Sequence, residues 1–218
     1  MITALRHRIP AHAVPVMAAV DTSGVRSSDS VVAVSLACHD SEPFTFFVDL
    51  RDCNLEDQEE QIGKYLGMSP AEYRAIYTEH GIHPDMLAKE TAKFLDPGLF
   101  RHAIGKRTVP LLVTYSTGFQ LRFLKKLGIE RHGSEPSPLD VVLYARVLHM
   151  ASSGELPVHA DFSMDWESFV SELAGLSSRC KAKYRDVFAD YGIAAPAGPS
   201  DKAAAIRSLF SHVLDMEV

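Results

Sequence analysis

The chain lacks several features that would have fixed its class at once. No apolar run in its 218 residues approaches the length of a membrane span, which takes about 20 consecutive apolar residues. The N-terminal stretch MITALRHRIPAHAVPVMAAV is interrupted by Pro10 and Pro15 and ended by Asp21, so neither a signal peptide nor an anchor is expected. Cysteine is sparse: Cys38, Cys53 and Cys180 are odd in number and none lies in a CxxC pair. That excludes a disulfide framework and a zinc ribbon, and points to a reduced, cytoplasmic protein. Excess positive charge is absent too, since 22 basic residues face 28 acidic ones for a net charge of -6. Any contact with nucleic acid must then come from a local patch. The ten histidines form no HxH or HExxH spacing, no GxSxG elbow occurs around Ser116, and no internal repeat is visible.

What is present is a globular composition, 46% hydrophobic and 23% charged, at a length that suits one α/β domain spanning residues 1–218. Val14 to Val20, Ser30 to Ala37 and Phe44 to Leu50 are apolar or β-branched runs separated by turn residues, which predicts a three-stranded meander. Helical spacing follows at Glu56 to Leu66, Pro70 to His80 and Pro84 to Leu95, the last two with proline in the first turn. Val109 to Thr114 is a fourth strand and Gly118 to Leu127 a helix. Pro138-Leu139-Asp140 leads through a short strand or turn into the helix VVLYARVLHM, followed by a Ser/Gly/Pro-containing loop from Ala151 to Ala160. Asp165 to Leu173, Arg179 to Tyr191 and Asp201 to Leu214 complete the helices.

A meander followed by strand and helix alternation predicts a mixed sheet flanked by helices, in the order of the ribonuclease H-like fold. Three segments in the right order then resemble the motifs of the DnaQ-like (DEDD) 3′→5′ exonucleases. AVDTSG, ending the first strand, is similar to DxE, with Asp21 at the Asp and Ser23 at the Glu. YSTGFQLRFLKKLGI is similar to HNAxFD, with Tyr115 at the His, Phe119 at the Phe and Gln120 at the Asp. PAGPSDKAAAIRSLFSHVL is similar to HxAxxD opening the last helix, with Pro196 at the His and Asp201 at the Asp; in the sister form, which has Tyr four residues before the Asp, Ala197 stands at that position. EHGIHPDML and PLDVVLYARVL resemble further stretches of the family between these motifs.

The resemblance implies metal-dependent cleavage of a nucleic-acid strand and, with it, Mg²⁺ or Mn²⁺. Two divalent ions about 4 Å apart activate a water and stabilise the leaving oxygen, and they require hard, charged oxygen ligands. Here only Asp21 and Asp201 keep a carboxylate. Ser23 and Gln120 offer a hydroxyl and an amide, and Pro196 has no group to take a proton. The implied reading is a degenerate exonuclease homologue that binds single-stranded DNA or RNA, or a protein partner. The alternative is an active phosphodiesterase with a relocated or single-metal site.

Structural roles compete at several positions and are favoured at both surviving carboxylates. Asp21 is read first as a turn residue bonding a nearby N–H, and Ser200 or Asp201 as the cap of the last helix. Asp140 is read as the N-cap of its helix, Cys38 as a small buried hydrophobe, Trp166 and Phe169 as a core stripe, and His80 and His83 as surface histidines. The basic clusters Arg122, Lys125, Lys126, Arg131 and Arg179, Lys181, Lys183, Arg185 are read as solvated faces, and as the only local positive charge available to phosphates. If the motif frames hold, Asp21, Ser23, Gln120 and Asp201 converge at one end of the sheet, and folding needs no metal.

Overall fold

The computed structural model describes residues 2–23, 25–26, 29–38, 42–48, 69–95, 109–127, 135–156, 162–180 and 183–217. The meander forms as expected: β1 (Ala13–Thr22), β2 (Val31–Cys38) and β3 (Phe44–Val48) pair antiparallel. Then come α1 (Pro70–His80), β4 (Gly81–Ile82), α2 (Pro84–Leu95), β5 (Val109–Thr114), α3 (Thr117–Lys126), β6 (Leu139–Asp140), α4 (Val141–Ser152), α5 (Trp166–Gly175), α6 (Tyr184–Asp190) and α7 (Pro199–Val213). The sheet order is β4-β3-β2-β1-β5-β6, with β5 parallel to β1, β6 parallel to β5 and β4 parallel to β3.

Local chemistry explains most boundaries. α1 starts at a reciprocal cap, in which the Ser69 hydroxyl accepts from the Glu72 N–H and the Glu72 carboxylate accepts from the Ser69 N–H, with Pro70 in the first turn. Asp165 caps α5 through the Ser168 N–H, and Asp140 caps α4 through the Leu143 N–H. β2 is buried along its whole length except at Cys38, because helices cover both faces of the central sheet and its sequence VVAVSLAC has no need to alternate.

The two faces carry separate cores. Met17 and Ala19 of β1 pack with α4 to α7 around Tyr144, Phe169, Phe188 and Phe210. Ala18 and Val20 point the other way, with Tyr73, Leu87, Phe123 and Leu124 of α1, α2 and α3. The pleat therefore assigns Asp21, two residues beyond Ala19, to the α7 face.

Several expectations are corrected. The edge strand β4 is not legible in the sequence, since two residues carry no periodicity. The helix expected over Arg179 to Tyr191 is confined to Tyr184–Asp190; turns closed by Arg179 N–H and Cys180 N–H on the Leu176 carbonyl precede it. α7 starts at Pro199 with Gly198 as N-cap and no side-chain cap, so neither Ser200 nor Asp201 has the capping role. Cys38 is half-buried at the last position of β2. The expected helix at Glu56 to Leu66 and the end of the third strand at Asp49 and Leu50 lie outside the described residues, as do Cys53, Arg131 and Lys181. Trp166 and Phe169 are core residues, and His80 and His83 are exposed. Among the described residues no helix is long and apolar enough to cross a membrane.

Candidate functional site

β1 outlasts its parallel partner. The β1–β5 register runs from Ala13↔Val109 to Met17↔Val113, and after Thr114 the chain leaves the sheet through Ser116. This residue has φ 49° and is the one non-glycine with positive φ among the described residues. Its carbonyl accepts the N–H groups of Phe119 and Gln120, which tightens the turn into α3. The turn carries the Gln120 side chain to β1, where Oε1 accepts the Val20 N–H at 2.5 Å. Gln120 is fully buried, and a donor that β5 no longer reaches is thereby satisfied.

At the end of β1 the ladder with β2 shifts register between Asp21 and Thr22. Ser23 closes the connection: its N–H donates to the Ser30 carbonyl at 2.9 Å and its Oγ accepts the Ser30 N–H at 3.0 Å. The turn role expected of Asp21 therefore belongs to Ser23.

Asp21 has a different partner. Its Oδ1 accepts a hydrogen bond from Lys202 Nζ, and both side chains are buried, at 5% and 10% exposure. Burial pulls the Lys202 ammonium down to about 8 from its usual 10.5, so at neutral pH it is still mostly protonated. α7 is held in the required orientation by Ser35, opposite Ala19 in the β1–β2 register, whose hydroxyl donates to the Pro199 carbonyl. That contact seats the first turn of α7 on the central strands.

The same orientation turns Asp201 to solvent. Of the residues singled out in the sequence, Asp21, Ser23 and Gln120 are buried at the end of β1, and Pro196 is buried ahead of α7. The buried residue of α7's first turn that meets Asp21 is Lys202. A signal for it existed: Lys202, Ile206, Leu209 and Val213 continue one buried helical stripe, whereas Asp201 lies a hundred degrees off it.

These donors do not fit a pair of divalent cations. The Asp21 charge is already matched by an ammonium, the Ser23 and Gln120 oxygens each hold a backbone N–H, and Asp201 faces away. Among the described residues no group of three His, Cys, Asp or Glu side chains is arranged to hold a metal ion. What the site retains is Asp21 Oδ2 as an acceptor and Gln120 Nε2 as a donor, both buried and without a hydrogen-bond partner among the described residues.

Cations border this end of the sheet. Arg122 Nη2 donates to the Val25 carbonyl at 2.8 Å and Lys126 Nζ to the Asp29 carbonyl at 2.7 Å, both on the β1–β2 connection beside Ser23. The Arg122 guanidinium also lies over the Phe119 and Phe123 rings. Carbonyl partners fix these side chains without cancelling their charge.

Solved structures share this fold. Escherichia coli exonuclease I in complex with a dA16 oligonucleotide matches over 93% of this chain and 42% of its own, with a TM-score of 0.58 and 14% identity. Apo exonuclease I matches over 91% and 41%, with a TM-score of 0.52 and 14% identity. The fold is ribonuclease H-like, as in the DnaQ-like exonucleases. A further E. coli exonuclease I structure, with a 5cy-dA13 oligonucleotide, gives a TM-score of 0.50 at 13% identity over 92% of this chain and 41% of its own. The exonuclease-like fold seen here thus spans about two fifths of the length of these proteins. No protein-family model matches the sequence, and no curated protein matches it.

Proposed function

We propose that this chain is an exonuclease-like protein that binds a single nucleic-acid strand and does not run two-metal hydrolysis. The observation that carries the reading is the commitment of every candidate ligand: Asp21 to Lys202, Gln120 to Val20, Ser23 to Ser30, with Asp201 exposed. Two ions would bring four positive charges to a site whose one carboxylate is already neutralised, and desolvating them there has no compensation. Pro196 supplies no general base. Strand binding is supported by the likeness to oligonucleotide complexes and by the charges of Arg122 and Lys126 beside the β1–β2 connection, which suit phosphates even in a protein of net charge -6. The cytoplasm is the setting that suits its few cysteines, of which Cys38 and Cys180 are free thiols.

The test is made on purified wild-type protein with end-labelled single-stranded DNA and RNA, in Mg²⁺ or Mn²⁺, beside an Asp21→Ala/Asp201→Ala variant. Equal background from both, together with salt-sensitive binding in fluorescence anisotropy, is the expected result. Metal-dependent degradation by the wild type alone would overturn the non-catalytic reading. Absence of binding to either strand would turn the search to a protein partner.

A further inference from the structure

We propose that Lys202 is a tethered substitute for the divalent cations of this fold: its ammonium neutralises Asp21 at neutral pH, so that the end of β1 is built and held without metal. The inference rests on the non-catalytic reading above and adds the residue that makes the site self-sufficient.

A carboxylate with 5% of its side chain exposed is not left uncompensated at neutral pH, because an isolated buried charge is expensive. Lys202 meets Asp21 from the helix that packs over β1 and β2. The charge change is self-consistent. Four carboxylates balance two divalent ions, whereas one carboxylate balances one ammonium. Replacing the other family carboxylates by Ser23 and Gln120 removes the negative charge that an ammonium could not match, and both residues are reused to satisfy backbone N–H groups.

The helix start makes the substitution geometrically possible. Gly198 and Pro199 set the first turn of α7 and Ser35 fastens it to β2, so the inward position is 202 and the outward one 201. A metal ion bound at Asp21 would have to share the carboxylate with the ammonium, and like charges repel at that range with little screening. Removing Lys202 leaves a buried anion; removing Asp21 leaves a buried cation; removing both leaves neither.

The experiment is a double-mutant cycle read by thermal unfolding in EDTA, without nucleic acid. Lys202→Met and Asp21→Asn are each expected to lower the Tm by roughly 10 °C, the cost of orphaning one partner of a buried pair. The Lys202→Met/Asp21→Asn variant is expected to lose far less than the two losses added together. Additive losses, or single variants that melt with the wild type, would overturn the proposal. If the single variants do not fold, the circular dichroism of the double variant decides: a folded double variant supports the coupling and an unfolded one refutes it. A wild-type Tm that rises with millimolar Mn²⁺ would also refute it, since a ligand of the native state must stabilise. Nuclease activity does not enter this readout, so the inference and the functional reading fail separately.

Discussion

Asp140 and Thr117 are joined across two helices: Asp140 Oδ2 accepts the Thr117 N–H at 3.1 Å while Oδ1 accepts the Leu143 N–H at 3.0 Å. One carboxylate thus caps α4 and pins the start of α3, the helix that carries Gln120 to β1. Burial pushes its pKa up, against the hydrogen bonds that pull it down.

Asp140→Ala removes both caps and is expected to cost about 2–3 kcal/mol in urea unfolding. Asp140→Asn, which keeps an acceptor, is expected to recover about half. A cost under 0.5 kcal/mol for the alanine variant would show that neither helix start depends on it.

Gln120→Leu keeps the volume and leaves the Val20 N–H without its acceptor. The expected cost is about 1–3 kcal/mol, with amide exchange at Val20 accelerated well above that at Ala18. Unchanged protection at Val20 would mean that another group satisfies this N–H.

Alkaline pH carries a signed expectation. Stability is expected to fall above about pH 10, because burial lifts the Tyr144 and Tyr191 hydroxyls to about 12, so the unfolded state loses these protons first and binds fewer of them than the native state. Guanidinium midpoints from about pH 8 to 12 check the decline; midpoints that stay level over this range would contradict it.

Restoring the family carboxylates with Ser23→Glu and Gln120→Asp is expected to weaken the fold and to bind no Mn²⁺ by calorimetry. Lys202 still occupies Asp21, and the Ser30 and Val20 N–H groups lose their acceptors. Adding Lys202→Asp is the change expected to open cation binding; Mn²⁺ uptake before that step would contradict the role given to the lysine.

Much of the fold was legible because its signals are local. Pro70 and Pro84 marked helix starts, Asp140 marked a cap, and the β-branched run of β2 marked a strand. The strand β4 was invisible because a two-residue edge strand exists only through its pairing with Phe47 and Val48.

The sequence by itself determined which chemical groups stand at Asp21, Ser23 and Gln120, one carboxylate, one hydroxyl and one amide, since residue identity is enough for that. Only the tertiary structure decided what those positions do. Whether 201 or 202 faces the sheet depends on how α7 is rotated, and that rotation comes from the Ser35 bond to Pro199 and from the packing of Ile206, Leu209 and Val213. A helix turned by one residue exchanges a carboxylate for an ammonium at the same point in space, and electrostatics at a buried carboxylate then favours the ammonium.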